Sequence, residues 1–326
     1  MYVVTGAAGF IGFHLARALL ARGAAVVGVD DLNPYYDVGL KHARLRHLTD
    51  LSPTAFAFHL ADVADAAAFA AAVGRYAGRV THVLHLAGQP GLRHSLADPV
   101  GPVRANVLGQ AVVLGWASDL PALRHLVYAS SSSVYGTGSE PPFAEDARAD
   151  GPTSAYAASK RGAELVAAAF ASARGLPVTG VRPFTVYGPW GRPDMAYYEF
   201  TRRLLAGEPV RLHGGGRMRR DFTYVDDAVA GILGVLERPP GPGRHPVYNV
   251  GRGRSESTES LLRHLERLLG AVARVEFVPA TAGEREVTEA DIARLRTDTG
   301  FEPRVSLAEG LERFVAWYHG YHRGRP

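Results

Sequence analysis

A tyrosine and a lysine stand four residues apart in Tyr156-Ala157-Ala158-Ser159-Lys160, a spacing that places both on one face of a helix. A Tyr hydroxyl titrates near 10, too high for a base at neutral pH. A nearby ammonium, joined by the charge of an oxidised nicotinamide, favours the phenolate and suits it to take a proton from an alcohol. Only Lys41 and Lys160 among the 36 basic residues are lysines. Arginine serves wherever a fixed cation is enough, so each lysine marks a place where a compact ammonium on a flexible stem matters. An ordinary helix-surface pair is the competing reading, but chance yields such a pair only about 0.1 times in a chain with so few lysines.

Upstream, Tyr128-Ala129-Ser130-Ser131-Ser132-Ser133-Val134-Tyr135-Gly136 closes an apolar run with four hydroxyls. Ligands of open α/β sheets bind at such carboxyl ends of strands. A solvated serine loop is the alternative, against which the directly following Val134-Tyr135 argues for an ordered turn. At the start of the chain, Val3-Val4-Thr5-Gly6-Ala7-Ala8-Gly9-Phe10-Ile11-Gly12 has the order strand, glycine turn, helix. Gly6, Gly9 and Gly12 admit close backbone approach, and the helix N-terminus presents N–H groups and a positive dipole end to a pyrophosphate. The triplet alone is a weak signal; Asp30, ending the next apolar run, strengthens it as an acceptor for adenosine ribose hydroxyls. Residues 31–35 hold no Arg or Lys for a 2′-phosphate, so NAD is favoured over NADP. Lys41 reads as a surface lysine, with a contact to the adenosine end as the alternative. Asp62 and Val63 follow the third strand, where they contact adenine or Asp62 caps a helix.

These groups need a scaffold. Short apolar runs at Tyr2-Thr5, Ala25-Val29, Ala55-Leu60, Val80-Leu86 and His125-Ala129 are continuous rather than alternating, the pattern of parallel strands covered on both faces. Helical stretches at Gly12–Arg22, Asp65–Tyr76, Pro99–Leu120 and Ala155–Arg174 separate or follow them. This order predicts an α/β, Rossmann-type doubly wound parallel sheet. After Val178-Pro183, Pro and Gly cluster and the regularity fades, ending in an amphipathic segment over Leu307–Tyr321. The division expected is a dinucleotide-binding domain over 1–180 with returns near 223–250, and a smaller mixed α/β substrate domain over 181–222 and 251–326.

Composition fits that picture. The 326 residues are 47% hydrophobic and 21% charged, which is globular and argues against disorder. With no cysteine, a disulfide framework, a thiolate metal site and a catalytic thiol are excluded, and no metal is called for. No segment reads as membrane-spanning and the first residues do not read as a signal peptide, so a cytoplasmic protein is expected. The net charge of +4 and pI of 9.4 are spread along the chain without a basic stripe, which argues against a nucleic-acid partner.

Together the glycine loop, the Tyr156/Lys160 pair and the serine turn resemble extended short-chain dehydrogenase/reductases of the nucleotide-sugar epimerase branch, from Tyr2 to about Tyr318. Asp30-Asp31-Leu32-Asn33-Pro34-Tyr35-Tyr36-Asp37, the stretch from Arg182 to Ala196, and Arg220-Asp221-Phe222-Thr223-Tyr224-Val225-Asp226-Asp227 look like UDP-glucuronate 4-epimerases. UDP-glucose 4-epimerases usually carry Asn where this chain has Thr185. The resemblance implies Tyr156 as base, Lys160 as its electrostatic partner and nicotinamide-ribose ligand, and Ser131 as a second hydroxyl on the sugar 4-OH. It implies NAD lined by Gly6, Gly9, Phe10, Ile11, Gly12, Asp30, Asn33, Asp62, Val63, Leu86, Ala87, Gln89 and Asn106. It sets Arg220 against the UDP phosphates and Ser132, Ser133, Thr185 and Arg192 at the uronate end; a salt bridge to Asp194 or a diphosphate contact is the other reading of Arg192. Two stretches depart from the family. Gly88 and Pro90 stand where relatives commonly have Ala, and Ala280-Thr281-Ala282-Gly283-Glu284-Arg285 lacks the usual Arg/Gln-Pro-Gly-Asp, with Arg285 taken to complete the diphosphate site.

The implied reaction is reversible 4-epimerisation of UDP-glucuronate through a 4-keto sugar. Related dehydratases carry Asp-Glu at the positions of Ser132-Ser133 and decarboxylases keep a Glu at the second; this chain has neither. UDP-glucose epimerisation, decarboxylation and, outside enzymes, NAD(P) sensing are the rivals, and sensors on this fold typically lose the Tyr/Lys pair. A homodimer is expected, because helices 99–120 and 155–174 carry long Ala/Val/Leu faces and the equivalent pair in relatives forms an intersubunit four-helix bundle.

Overall fold

The structure is a computed structural model that describes residues 1–280 and 283–323. Seven parallel strands form the main sheet in the order β10-β6-β5-β4-β1-β2-β3: β1 (Tyr2–Thr5), β2 (Val26–Asp30), β3 (Phe56–Leu60), β4 (His82–His85), β5 (His125–Ala129), β6 (Val178–Pro183) and β10 (Val247–Val250). Five of the predicted runs are strands here, each within two residues of its expected ends. The side chains of β1 and β2 are almost wholly buried because helices cover both faces, whereas the edge strand β3 is part exposed, with Leu60 at its end open to solvent. The strand order reverses between β1 and β4, which opens a crevice at the carboxyl ends of the strands.

The helices of this half are α1 (Phe10–Ala21), α2 (Val38–Leu51), α3 (Ala66–Val73), α4 (His94–Ala97), α5 (Val100–Val103), α6 (Gly109–Ser118) and α7 (Ala155–Arg174). The expected helix over 99–120 is interrupted by a wider turn over Arg104–Leu108. The helix at 65–76 stops at Val73 and tightens into a 3₁₀ turn over Gly74–Arg79. Asp65, not Asp62, caps it, accepting from Ala67 and Ala68 N–H at 3.0 Å. Helix α2 has no counterpart in the sequence-based reading. Its inner face buries Lys41 and Arg44 beside Leu40, Leu45 and Leu48, and two cations on a core stripe erase the apolar period.

The remaining strands are β7 (Thr185–Tyr187), β8 (Val210–His213), β9 (Arg219–Tyr224), β11 (Ser255–Ser257), β12 (Val275–Val278) and β13 (Val287–Thr288), with helices α8 (Ala196–Leu205), α9 (Val225–Leu236), α10 (Thr258–Leu269), α11 (Ala293–Thr299) and α12 (Leu307–His322). Strand β9 pairs with β7, β11 and β13, so one strand organises the smaller sheet. Thr223 and Tyr224 belong to β9, α9 packs on β5, and β10 closes the main sheet beside β6. Side-chain caps at Ser154, Ser257 and Ser306, the last a full capping box with Glu309, fix where these helices start. One apolar cluster runs from α1 through the smaller half to α12, and another lies under α3, α6 and α7. No described helix is long and apolar enough to cross a membrane.

Candidate active site

Helix α7 carries Tyr156, Lys160 and Glu164 at successive helical turns, and Glu164 sets where that helix sits. Its carboxylate, 1% exposed, accepts from Ser130 Oγ at 2.6 Å, from Arg182 Nε and Nη2 at 2.8 and 2.9 Å, and from Arg161 Nη1 at 2.8 Å. Ser130 follows β5 and Arg182 lies in β6, so one buried anion binds the helix to both strand ends. Burial opposes its charge, but Arg182 outweighs burial and holds the carboxyl below the usual range. One turn back, Lys160 Nζ donates to Ala129 O at 2.9 Å. Burial pushes its ammonium down to about 8, with Glu164 pulling the other way.

The serine run forms the expected ordered turn. Ser131 caps a short 3₁₀ segment over Ser132–Tyr135, accepting from Ser133 N at 3.2 Å, and Ser133 Oγ donates to Ser131 Oγ at 3.0 Å. Ser131 and Tyr156 line the same two cavities. Burial raises the Tyr156 phenol above its ordinary value, while Ser131 and the Arg192 charge draw it back. The net direction in the protein alone is upward, opposite to the lowering expected once an oxidised nicotinamide joins the ammonium. Behind Lys160, the imidazole of His85 is held neutral by burial, at about 3, and bonds Thr5 Oγ1 at 2.6 Å.

Two cavities meet at Tyr156. The first, about 560 Å³, is lined by Gly6, Gly9, Phe10, Ile11, Gly12, Asp30, Asn33, Asp62, Val63, Leu86, Ala87, Gln89, Tyr156 and Lys160, all expected at a dinucleotide, and by Ser131, expected at the sugar. The N-terminus of α1 opens onto it without a side-chain cap, leaving N–H groups for a diphosphate. Added Cβ atoms at Gly6 and Gly12 would lie 2.7 Å from Ala87 N and 2.1 Å from Gly6 O; the glycines keep the loop this close. Asp30 accepts from Ala8 N at 3.1 Å and Leu32 N at 2.9 Å. Lys41 is not a surface lysine: it is 6% exposed, lines this cavity and lies 3.6 Å from Asp30. Asp62 accepts from Ala64 N at 2.8 Å and pairs with Arg104. Asn106, expected to line the cofactor, does not line the cavity: it is buried behind Gln89, bonded to Gln89 N and O and to Ser159 Oγ. A Cβ at Gly88 would lie 2.5 Å from Asn106 Oδ1 and 3.0 Å from Lys160 Nζ, which accounts for glycine where Ala was expected. The uncapped helix end, the glycine cradle and the Asp30 carboxylate fit a dinucleotide.

The second cavity, about 620 Å³, is lined by Ser131, Ser132, Tyr156, Thr185, Arg192 and Arg220, with an apolar wall of Phe200, Leu212, Met218 and Phe222. Ser133 stands behind Ser131. Arg192 bonds Asp194 through Nε at 3.0 Å and Nη2 at 2.6 Å, the salt bridge weighed as its alternative. Asp194 also accepts from Tyr35 OH at 3.1 Å. Arg220 Nη2 meets Glu284 Oε1 at 3.1 Å, and its Nη1 donates to Arg285 O at 3.0 Å. The Arg285 side chain does not reach the cavity: it donates to Ser139 O at 2.6 Å and pairs with Glu140 at 3.3 Å. Thr281 and Ala282 of the same departing stretch lie outside the described residues. Sequence reasoning missed Arg93, which lines the cavity 3.7 Å from Glu284; its place in the loop after β4, at a strand's carboxyl end, was the available signal.

Residues 2–251 match the family described as "NAD dependent epimerase/dehydratase family". The chain is 40% identical over 338 residues to a protein named "Probable UDP-glucuronate 4-epimerase" from Rhizobium meliloti, covering 99% of this chain and 98% of that one. It is 39% identical over 345 residues to UDP-glucuronate 4-epimerase 5 of Arabidopsis thaliana, covering 99% of this chain and 76% of the relative. Its structure is similar to that of UDP-glucuronic acid 4-epimerase from Bacillus cereus in complex with UDP-glucuronic acid and NAD, with a TM-score of 0.89, 31% identity, and coverage of 98% of this chain and 99% of that chain.

Lys160 is a stability burden at neutral pH. A lysine whose folded value falls from 10.5 to about 8 binds its proton more weakly in the folded chain. The resulting penalty is full below about 8 and is relieved as pH rises toward 10.5. That shift is worth about 3 kcal/mol; losing the bond to Ala129 O returns about 1–2 kcal/mol. Lys160→Met is therefore expected to melt roughly 2–4 °C higher at pH 7, with the gain shrinking above pH 9, as differential scanning calorimetry at both pH values will read. A lower melting temperature at pH 7 overturns this.

Proposed function

This chain belongs to the NAD dependent epimerase/dehydratase family, and we propose that within it the chain interconverts UDP-glucuronate and UDP-galacturonate. The observation that carries this reading is the meeting of two cavities at Tyr156, one fitted to a dinucleotide, the other offering Ser131, Ser132 and Thr185 hydroxyls, with its carboxylates Asp194 and Glu284 already paired to Arg192 and Arg220. Tyr156 takes the proton of the sugar 4-OH, with Ser131 sharing that hydroxyl and Lys160 adding a positive field at the base. Bound NAD would supply the hydride acceptor and donor for C4, so that hydride leaving one face of the sugar could return to the other. The redox state is unchanged over the cycle, so the cofactor can stay in place. Gly6 to Gly12 hold its diphosphate, Asp30 and Asn33 its adenosine ribose, Asp62 and Val63 its adenine, and Leu86, Ala87 and Gln89 its nicotinamide half, with Asn106 behind Gln89. Arg220 faces the UDP diphosphate, and Arg93, rather than Arg285, is the second cation there.

The 4-keto uronate is a β-keto acid and loses CO₂ when its carboxylate aligns with the carbonyl π system. Ser132, Thr185 and, behind them, Ser133 hold the carboxylate out of that alignment. Arg192 contributes as a half-neutralised cation, since Asp194 already takes two of its donors. Dehydration needs an acid and a base where this chain has Ser132 and Ser133, which disfavours that rival. The protein acts in the cytoplasm on a small nucleotide sugar, with no nucleic-acid partner. It does so as a homodimer. Val100, Val103, Leu108 and Leu165 are 70, 49, 49 and 57% exposed along α5, the following turn and α7, a continuous apolar face that a second copy covers.

Three outcomes are expected. Tyr156→Phe keeps fold and cofactor and loses about 100-fold or more in kcat, while Thr185→Val loses roughly tenfold in kcat/KM for UDP-glucuronate and less for UDP-glucose. NMR identification of products from each sugar tests both, and wild-type turnover of UDP-glucose equal to that of UDP-glucuronate removes the carboxylate reading. NAD binds at least tenfold more tightly than NADP in calorimetric titration, and Asp30→Asn narrows that gap because it leaves Lys41 unpaired for a 2′-phosphate; equal wild-type affinities refute the role of Asp30. Light scattering at micromolar protein gives twice the chain mass of 34.9 kDa, and Val100→Asp with Leu165→Glu halves it; a monomeric wild type decides against the dimer.

A further inference from the structure

Arg44 is fully buried on the inner face of α2, and every hydrogen-bond partner of its guanidinium among the described residues is uncharged. Nη1 donates to Ala8 O at 2.8 Å and to Tyr36 OH at 2.6 Å; Nε and Nη2 donate to Trp190 O at 3.1 and 2.5 Å; Nη2 also reaches Gly191 O at 3.3 Å. An arginine keeps its proton, and a buried cation without an anion is costly unless something balances it.

What its donors hold points to the balance. Ala8 lies inside the glycine loop, and Arg44 on its carbonyl fixes the peptide that leads into Gly9 and the open N-terminus of α1. On the other side, Trp190 has φ of 61°, a left-handed backbone that a bulky residue rarely adopts. Its ring is wedged among Phe13, His47 and Trp317 at 5.3, 5.7 and 5.5 Å, and its carbonyl is turned to the guanidinium. Two residues on is Arg192, which lines both cavities beside Tyr156. We infer that Arg44 is a positioning residue that joins the two halves of the site: it fixes the phosphate loop through Ala8 and the Arg192 segment through Trp190 and Gly191, and the dinucleotide diphosphate is its counter-charge. Loading the cofactor thereby steadies the sugar end, a coupling that acts in both directions. The sugar half of this inference rests on the function proposed above.

Arg44→Lys keeps the charge and loses the planar fork. Wild type and variant are compared for NAD carried per chain after gel filtration, for KM and kcat on UDP-glucuronate with NAD in excess, and for melting temperature. The expected result is at least a threefold loss of carried NAD and a five- to tenfold rise in KM, with kcat within about threefold. A variant that melts lower but carries wild-type NAD and keeps wild-type KM, assayed well below its melting point, overturns the inference. Tyr36→Phe removes one uncharged acceptor and keeps the ring; it shifts NAD content and KM the same way by a smaller factor. If Arg44→Lys is insoluble, unchanged values in Tyr36→Phe overturn the inference instead. A wild type inactive on UDP-glucuronate defeats the proposed function, and the carried-NAD comparison still decides the role of Arg44.

Discussion

The carboxylate of Glu164 is the constraint on which the site depends. Taking an anion out of water costs several kcal/mol even after relaxation, and here the cost is met by four donors from three elements. The geometry that satisfies Glu164 leaves α7 little freedom against β5 and β6. Two turns toward the helix start, that same rigidity fixes Tyr156 against Ser131, which follows Ser130 by one residue. The hydroxyl pair is thus aligned by a charge network some distance behind it. Arg182 in turn donates to Glu145 O at 3.2 Å and lies 4.8 Å from the Tyr135 ring centre, and Tyr135 OH donates to Asn249 Oδ1 at 2.6 Å in β10. The edge strand of the main sheet is tied into the same network.

Two buried cations carried on helices, Lys160 on α7 and Arg44 on α2, are held on backbone carbonyls. Lys160 rests on Ala129 O, and Arg44 on Ala8, Trp190 and Gly191. Carbonyls orient a cation without neutralising it, so charge remains available to an anionic ligand. Where a carboxylate is present, as at Asp30 with Lys41 or Asp194 with Arg192, the pair offers shape and hydrogen bonding with little net field.

The parallel strands were legible because both their faces are buried, which writes continuous apolar runs into the sequence. The glycine loop and the Tyr156/Lys160 pair were legible because each is local, a matter of spacing within ten residues. What escaped was non-local or masked by charge. Helix α2 escaped because its core face spends two positions on Lys41 and Arg44, and the partners that make those cations tolerable lie at residues 8, 30 and 190. Arg285 was misplaced because alternation along an irregular stretch does not say which side faces in; its carbonyl serves Arg220 while its side chain turns to Ser139. The cap falls on Asp65 rather than Asp62 for a smaller reason: both precede the helix, and only the backbone decides which one meets Ala67 and Ala68.

The preference for hydroxyls over a bare cation at the sugar end follows from the chemistry of the proposed intermediate. When a β-keto acid loses CO₂, negative charge leaves the carboxylate and moves to the ketone oxygen. Hydrogen bonds to the carboxylate are strong in the ground state and weaken in that transition state, so they raise the barrier to decarboxylation. An apolar pocket would do the opposite, removing the solvation that holds the charge on the carboxylate. A cation free to move toward the ketone oxygen would also lower the barrier by stabilising the enolate. Ser132 and Thr185 supply donors fixed by a turn and a strand, and Arg192 is held by Asp194 and Tyr35. The arrangement keeps charge where it starts while leaving the C4 hydroxyl to Tyr156 and Ser131, and so separates hydride transfer at C4 from bond breaking at C5.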